Sequence, residues 1–387
     1  MSLDIRYFDC NATTPLGDQA KEAWVKASSE AWFNPGGLYR GAVRTRVLLE
    51  DARASVATCL GCASDSIVFT SGATESNNAF FQYIQKREGQ VLIARTEHAS
   101  VRQVVQGLFP QRCEWLLLDC NGIVVLDALE ERLAGGGYCA VSVMAVNNET
   151  GVIQPWEDIQ NLCAKHKATF HTDATQWIGK MPSAGMGVCD FVTLSAHKFG
   201  GPKGVGLLKV PSGVEFTWLL GGGQEQGRRS GTENYPSVVA MAQALQVAES
   251  QIEAMLVERA ESRDLFEVAI KRAVPGVSIL CEEAPRVWNT TLLLMPRFEG
   301  WRWVKKLDAL GYAVGLGSAC LTGKGAGDSV AAALGVDISA AKRIVRVSAG
   351  WGNSRESWLN LAAAFTEAAK LLDAEDRDDS VVNISLL

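Results

Sequence analysis

The sequence lacks the features that would place the chain in a membrane or on a polyanion. No apolar run approaches the roughly 18 residues of a membrane span, and no basic segment followed by an apolar one marks a signal peptide at the N-terminus. Lys and Arg number 37 against 43 Asp and Glu, a net charge of −6, which argues against a surface that coats nucleic acid or an anionic membrane. We therefore expect a cytoplasmic protein that binds neither.

The sequence also lacks the ligand spacing of a structural zinc site, which takes about four ligands. Among the ten cysteines only Cys59 and Cys62 form a CxxC pair, and no second CxxC or HxxxH pair accompanies it. A reducing cytosol disfavours disulfides. We therefore expect neither a metal site nor disulfides. Only Cys320, in a glycine-rich segment, has distinctive surroundings. Five cysteines among apolar residues are predicted to be small buried hydrophobes: Cys113, Cys120, Cys139, Cys163 and Cys189.

Internal repeats and low-complexity linkers are absent, and apolar runs alternate with helical patterns along the chain. Helical periodicity covers residues 44–60 and 155–167. Because strands that alternate with helices connect by right-handed crossovers, the pattern predicts an α/β fold with a mostly parallel sheet. The predicted strands are 66–70, 91–95, 140–146, 168–172, 191–195 and 206–210.

The organisation changes in the second part of the chain. A long helical pattern spans 237–274, and further strands are predicted at 288–294 and 344–348. The 387 residues suit two or three domains of roughly 100–200 residues each. We expect a large domain over residues 16–260 and a smaller α+β domain formed by residues 1–15 and 261–387.

Polar residues directly follow four of the predicted strands. They lie at 97–98, 147–149, 173–176 and 195–198. Ligands of open parallel sheets bind beyond the carboxyl ends of the strands. We therefore expect these residues to meet at one edge of the sheet and form a ligand site.

Two of these residues indicate a specific chemistry. A lysine at a partly buried strand end, such as Lys198, can lose its proton and act as a nucleophilic amine. A carboxylate at a neighbouring strand end, such as Asp173, is the partner that a protonated pyridine nitrogen needs. Together they indicate a pyridoxal phosphate site. Taken singly, each has another interpretation: Lys198 as a surface lysine and Asp173 as a strand-end cap.

A phosphate cradle is predicted at residues 70–77, which lead from a strand into a helix. Gly72 lets the backbone approach a ligand closely, and the amides of Ala73 and Thr74 would open the helix as an anion site. Ser195 and His197 would add hydrogen bonds to the phosphate. The alternative is an ordinary turn with a capping box.

Nine motifs in order make the sequence resemble a known family. It is similar to the cysteine desulfurases, in the class V aminotransferase-like branch of fold-type I pyridoxal phosphate enzymes. The match runs from residue 7 to about residue 355. The matching segments are 11–15, 69–76, 96–98, 147–151, 173–176, 195–198, 221–225 with 229–232, 317–320 and 346–348.

The resemblance implies roles around the ring of pyridoxal 5'-phosphate. Lys198 would hold the cofactor as a Schiff base. Asp173 would pair with the pyridinium nitrogen and Gln176 with the ring hydroxyl. His98 would stack on the ring and take part in proton transfer, and Asn148 would lie near both the ring and the substrate carboxylate.

The resemblance also implies roles at the substrate, the phosphate and a second subunit. Arg346 would bind the substrate carboxylate through its bidentate fork. Thr232 would reach the phosphate of a neighbouring subunit, which implies a homodimer. The phosphate itself would be held by Ala73, Thr74, Ser195 and His197.

Cys320 would be the nucleophile that takes sulfur from the substrate. In the implied mechanism, Lys198 removes the α-proton of L-cysteine, the Cys320 thiolate attacks the substrate sulfur, and a persulfide and L-alanine result. The persulfide would then pass its sulfur to an acceptor protein, with iron–sulfur cluster assembly among the candidate pathways. The length from Cys320 to Gly335 fits the long-loop subgroup.

Residues 36–40 and the glycine-rich segment after Cys320 depart from the family pattern. The first replaces a usual Ser-His pair near the substrate entrance, so substrate preference stays open. Alternatives are an aminotransferase, a selenocysteine lyase or a non-catalytic partner-binding relative. Cys320 argues against the first, and the intact Lys198 and Asp173 argue against the last.

Overall fold

The computed structural model describes residues 6–317 and 329–384, with side chains described as far as residue 377. Over these ranges the strands form two sheets, one of seven strands and one of five. The strands are β1 (Arg6–Phe8), β2 (Ile67–Thr70), β3 (Gln90–Ile93), β4 (Cys113–Trp115), β5 (Tyr138–Ser142), β6 (Thr169–Asp173), β7 (Phe191–Ser195), β8 (Gly206–Lys209), β9 (Ser278–Ile279), β10 (Thr290–Leu294), β11 (Tyr312–Leu316) and β12 (Ile344–Ser348).

The seven-stranded sheet has the order β2-β8-β7-β6-β5-β3-β4. Its neighbours from β7 to β4 pair in parallel, whereas β8 lies antiparallel between β2 and β7. Every residue of β6 and β7 is buried, as expected for parallel strands covered on both faces. The predicted α/β fold with a mostly parallel sheet is confirmed.

Helices cover both sheets. The longest, α7, has 39 residues and packs against α1, α2 and α11. Within the described residues no helix combines the length and apolar character needed to cross a bilayer. The helices are α1 (Asp18–Glu30), α2 (Arg40–Leu60), α3 (Ala73–Gln85), α4 (Ala99–Leu108), α5 (Leu126–Ala134), α6 (Trp156–Lys165), α7 (Tyr235–Ala273), α8 (Gly300–Ala309), α9 (Val330–Ala333), α10 (Ile338–Ala341) and α11 (Arg355–Ile384).

The five-stranded sheet combines one strand near the N-terminus, β1, with four strands from residues 278–348. Its order is β1-β11-β12-β10-β9, and only the pair of β1 and β11 is parallel. Strand β1 thus pairs with residues 312–314, far along the sequence. The division into domains remains a prediction, and α7 runs without a break through residue 260.

Each predicted strand is present, but several ends are displaced and some strands were missed. The strand predicted at 140–146 is Tyr138–Ser142, and the one predicted at 288–294 begins at Thr290. Strands β1, β4, β9 and β11 were not predicted. Three of them have only two or three residues, too few for a periodic signal.

Candidate active site

A cavity of about 620 Å³ opens where β6 and β7 end and α3 begins. This volume lies within the range of roughly 300–1,000 Å³ that small-molecule sites occupy. The cavity brings together residues from both sheets, as the topology of strand ends predicts. The predicted site residues that line it are Ala73, Thr74, His98, Asn148, Asp173, Gln176, Ser195, His197, Lys198 and Arg346.

One described site residue from the sequence prediction does not line this cavity. Thr232 lines a separate pocket of about 220 Å³ together with Glu225 and Arg229. The predicted nucleophile Cys320 lies outside the residues that the structure describes.

Lys198 follows β7 in a single 3-10 turn and reaches into the cavity. Its Nζ donates to the backbone oxygens of Asn11 at 2.6 Å and Ala12 at 2.9 Å. Burial lowers the pKa of Lys198 to about 8, with a further contribution from the positive charge of Arg346, while Asp173 opposes the shift. About a tenth of this lysine is therefore the neutral, nucleophilic amine at pH 7, far more than for an ordinary lysine.

Asp173 ends β6 and is almost fully buried. Its Oδ1 accepts a hydrogen bond from the backbone N–H of Thr175 at 3.0 Å, and its Oδ2 accepts one from Asn77 Nδ2 at 2.9 Å. Each carboxylate oxygen has a second lone pair. The carboxylate is thus fixed in position and retains the capacity to accept a proton donor from the cavity.

His171 stands two residues earlier on β6. Its Nδ1 lies 2.8 Å from Ser142 Oγ and its Nε2 lies 3.1 Å from Thr193 Oγ1, while its ring stacks on Phe80 at 4.3 Å. Burial lowers the pKa of His171 to about 4. The ring is therefore neutral at physiological pH and packs as part of the sheet that supports Asp173.

His98 is the N-cap of α4. The backbone N–H of Ser100 donates to its Nδ1 at 3.1 Å, so the proton of the neutral ring is assigned to Nε2. Burial lowers the pKa of His98, although the carboxylate of Asp173 opposes the shift. The lowered pKa favours a neutral ring. Its Nε2–H takes no part in the capping hydrogen bond at Nδ1.

The N-terminus of α3 provides a candidate anion site. Gly72 is its N-cap and offers no side-chain cap, so the N–H groups of the first turn have no acceptor within the helix. At Gly72 φ is 146°, and a Cβ there would lie 3.3 Å from Ser195 Oγ. Glycine therefore keeps the space between these amides and Ser195 open.

Glu75 holds this turn in place. Its carboxylate accepts from the backbone N–H of Ser71 at 2.7 Å, from Arg229 Nε at 2.9 Å and from Trp218 Nε1 at 3.2 Å. Burial alone would raise the pKa of Glu75, but the hydrogen bonds from Arg229, Ser71 and Trp218 lower it to about 2. The turn is therefore tied to the segment that leads to Thr232.

Replacing Glu75 by Gln should reduce stability at neutral pH by about 2–4 °C in Tm. The pKa of this carboxyl rises from about 2 in the fold to its ordinary 4.5 on unfolding, so its ionised form stabilises the fold above pH 4.5. That contribution disappears as the pH falls towards 2. Thermal unfolding between about pH 3 and pH 7 measures the difference in Tm between the wild type and Glu75→Gln across the range where this carboxyl titrates. The difference in Tm between Glu75→Gln and the wild type should become smaller at acid pH, whereas the difference for the exposed control Glu22→Gln should not change with pH.

Arg346 brings a guanidinium from β12 of the smaller sheet to the cavity. Its Nη2 donates to Asp9 Oδ1 at 2.7 Å and its Nη1 to the backbone oxygen of Asn148 at 3.1 Å. Its Nε is buried without a hydrogen-bond partner among the described atoms. Each Nη carries two N–H groups and uses one, so the fork is held from one side and retains N–H groups to offer to a ligand.

His197 is the remaining predicted phosphate ligand. Its Nδ1 lies 3.0 Å from Thr13 Oγ1. Burial lowers the pKa of His197 to about 4, and the charges of Lys198 and Lys203 lower it further. It is thus a neutral hydrogen-bonding group at physiological pH.

Sequence reasoning missed Asn11 and Lys180, which connect several predicted residues. Asn11 is almost fully buried, and its backbone oxygen accepts from both Lys198 Nζ and Gln176 Nε2. Lys180 Nζ donates to Asn11 Oδ1 at 2.9 Å and to Gln176 Oε1. No local pattern marked this pair, because residues 176–180 form turns rather than a helix and Gly179 between them has φ of 75°.

The described cysteines separate by burial. Cys163 and Cys189 are buried as predicted, and Cys113 and Cys139 are half-buried. The prediction for Cys120 is wrong, because it is exposed at the turn that Asp119 Oδ1 holds by accepting from the backbone of Asn121 at 2.8 Å. The turn carries this thiol to the surface despite its apolar sequence neighbours.

Comparisons with known proteins agree with this arrangement. Residues 6–358 match the family model described as Aminotransferase class-V. The chain is 33% identical over 353 residues to cysteine desulfurase 2 of Trichormus variabilis, covering 89% of this chain and 88% of the relative. It is 32% identical to cysteine desulfurase IscS of Dictyoglomus turgidum, covering 90% and 91% respectively.

Solved structures are similar over nearly the whole chain. A NifS-like protein superposes with a TM-score of 0.86 at 30% identity, covering 95% of this chain and all of the other. A structure described as SspA in complex with cysteine superposes with a TM-score of 0.75 at 28% identity, covering 89% and 98%.

Proposed function

Because the chain belongs to the class-V aminotransferase family, we propose that it is a cysteine desulfurase that converts L-cysteine to L-alanine and passes the sulfur to an acceptor. The observation that carries the proposal is the pairing of a nucleophilic lysine, Lys198, with a fixed carboxylate, Asp173, in one cavity beside a helix N-terminus. Relatives named cysteine desulfurase match about nine-tenths of the chain, which favours this member of the family.

The cavity residues fit pyridoxal 5'-phosphate. The uncapped first turn of α3 suits a phosphate, and the buried Thr175 Oγ1 on the cavity wall has no partner among the described atoms. When bound, this cofactor supplies an electron sink for a negative charge at the substrate Cα. Ala73, Thr74, Ser195 and His197 would hold the phosphate, Asp173 and Gln176 the ring, and Lys198 the reactive carbon.

Lys198 would act first as the covalent attachment and then as the base. Its pKa of about 8 leaves it able to give up and accept a proton near neutral pH. The backbone oxygens of Asn11 and Ala12 hold its Nζ at the cavity. It would therefore remove the α-proton of L-cysteine and return a proton to the product.

His98 would assist proton movement on the other side of the ring. Its Nδ1 is occupied by the backbone N–H of Ser100, so only Nε2 can exchange a proton with the substrate. Desolvation at the cavity lowers the pKa of His98 and so favours the neutral imidazole. Asn148 would lie beside it at the substrate, where its backbone oxygen already holds Arg346.

Arg346 would bind the carboxylate of L-cysteine. Asp9 and Asn148 orient its fork, and a carboxylate matches two parallel N–H groups. Replacement by Lys keeps the charge but removes the fork. We expect kcat/KM for L-cysteine to fall about tenfold to a hundredfold, mainly through KM.

The Arg346→Lys variant should still bind the cofactor. Steady-state kinetics measure KM and kcat/KM, and the visible absorption spectrum measures cofactor binding. Arg343→Lys is the matched control, because Arg343 lies on the same approach to β12 but donates to Pro296 and does not line the cavity. An unchanged KM in Arg346→Lys would show that Arg346 does not bind the substrate carboxylate.

Cys320 would be the sulfur-accepting nucleophile. The proposed step breaks the bond between the substrate Cβ and sulfur, forms a sulfur–sulfur bond to the Cys320 thiolate, and leaves the electron pair on the substrate carbon, which takes up a proton. A sulfur-acceptor protein would then remove the sulfur. We also propose a homodimer, in which Thr232, outside the main cavity of its own chain, reaches the phosphate of the neighbouring subunit.

The test is the product balance with L-cysteine and a reductant. A cysteine desulfurase forms L-alanine and sulfide in equal amounts. Formation of a 2-oxo acid in place of L-alanine would make the protein an aminotransferase, and turnover of L-selenocysteine alone would make it a selenocysteine lyase. No product at all with the cofactor bound would overturn the proposal.

A further inference from the structure

A buried lysine lies directly behind the candidate active site. Lys180 is only 3% exposed, and its ammonium is surrounded by oxygens of neutral amides rather than by a carboxylate. It donates to Asn11 Oδ1 at 2.9 Å and to Gln176 Oε1. Within residues 6–317 and 329–377 no Asp or Glu forms an ion pair with it. Burying a cation in this way is costly, which calls for a functional explanation.

The backbone is shaped to place Lys180 at this point. Gly179 has φ of 75°, and a Cβ there would lie 2.3 Å from the Cβ of Phe199. Phe199 directly follows Lys198, so only glycine lets the turn pack this closely against the lysine segment. Trp288, in the turn just before β10, donates its Nε1–H to the backbone oxygen of Lys180 at 3.0 Å and anchors this segment.

Lys180 determines which end of the Gln176 amide faces the cavity. An ammonium group has donors and no acceptor, so the atom of Gln176 that it meets must be the oxygen. The opposite end is then the NH2 group. Gln176 Nε2 indeed points the other way and donates to the backbone oxygen of Asn11 at 3.0 Å, on the wall of the cavity.

We propose that Lys180 is a positioning residue that holds Gln176 as a hydrogen-bond donor toward the ring oxygen of the cofactor. The inference rests on the proposed function, in which Gln176 faces that oxygen. A donor stabilises a negatively charged oxygen, whereas a carbonyl in its place repels it. Lys180 also fixes Asn11, whose backbone oxygen holds Lys198.

The charges around Lys180 agree with this role. Burial lowers the pKa of Lys180 to about 7, and the positive charges of Lys198 and Arg346 lower it further, while the Cys10 side chain opposes the shift. In either protonation state the amine has at least two N–H donors, enough for the two amide oxygens. The protonated form fixes the orientation of Gln176 most strongly, because it has no lone pair that could accept from the NH2 group.

The experiment compares Lys180→Met with Lys209→Met. Lys209 is a second buried lysine, with a pKa lowered by burial, but it donates to the backbone of Cys189 and Asp190 instead of Asn11 and Gln176. Each holoenzyme is titrated while the visible absorption of the cofactor is recorded. Losing the donor disfavours the ionised ring oxygen, so the pH midpoint should rise by about one unit, a tenfold change, in Lys180→Met only.

A second measurement uses the cofactor-free protein. The side-chain NH2 signals of Gln176, identified by their loss in Gln176→Met, should exchange with solvent at least about tenfold faster in Lys180→Met than in Lys209→Met. Equal midpoints and equal exchange rates in the two lysine variants would overturn the positioning role. If the wild type showed no visible band with the cofactor while the exchange difference persisted, the proposed function would fail and the hold of Lys180 on Gln176 would stand.

Discussion

Lys198→Ala should lose the visible absorption band of the bound cofactor and all measurable desulfuration. The amine is the only described lysine Nζ held at the carboxyl end of β7 inside the cavity by two backbone oxygens. Removing it eliminates both the covalent attachment and the base. General-base catalysis alone contributes about 10²–10⁴ in rate, and loss of the covalent step adds to this.

Two controls separate chemistry from folding in this experiment. Lys198→Arg keeps a positive charge but cannot supply a neutral amine, because a guanidinium stays protonated in proteins. It should be as inactive as Lys198→Ala. Lys165→Ala, an exposed lysine on α6 paired with Glu130, should behave as wild type. A Lys198→Ala protein that keeps the band and more than a tenth of the activity would disprove the assignment.

Cys320→Ala should keep the visible band and the affinity for L-cysteine but lose formation of sulfide and L-alanine by a factor of about 10³ or more. The expected loss is large because no sulfur–sulfur bond can form without the thiolate. The spectrum on addition of L-cysteine should still change, since Lys198 and Arg346 remain. Amino-acid analysis of L-alanine measures the outcome.

Cys120→Ala is the matched control for this variant. Cys120 is the described cysteine that is exposed, and it lies at a turn away from the cavity. Its removal should leave L-alanine formation unchanged. If instead Cys320→Ala turned over as wild type with a reductant present, sulfur transfer would need another nucleophile or none.

Much of the site could be predicted because it follows from strand ends. Asp173 ends β6 and Lys198 lies three residues after β7, and the carboxyl ends of neighbouring parallel strands meet at the same edge of the sheet. The anion site at Gly72 could be predicted because it also lies where a strand, β2, ends and a helix, α3, begins. Local patterns thus predicted which residues at neighbouring strand ends meet in the cavity.

The remainder depends on contacts between distant segments, which no local pattern encodes. Strand β1 pairs with residues 312–314, and this pairing brings Asp9 to Arg346 and Asn11 to Lys198. The hydrogen bond from Lys180 to Asn11 joins residues that lie 169 positions apart in the sequence. The exposed Cys120 was misjudged because an Asp-based turn, rather than its apolar neighbours, decides its position.

The central claim is that this site moves sulfur from L-cysteine to Cys320. The most direct measurement is peptide mass spectrometry of the cofactor-loaded enzyme after L-cysteine is added without a reductant. We expect one additional sulfur atom on the peptide that contains Cys320, released by reductant, with one L-alanine formed for each modified chain. L-alanine formation with Cys320 unmodified, or added sulfur on another cysteine with Cys320 untouched, would contradict it.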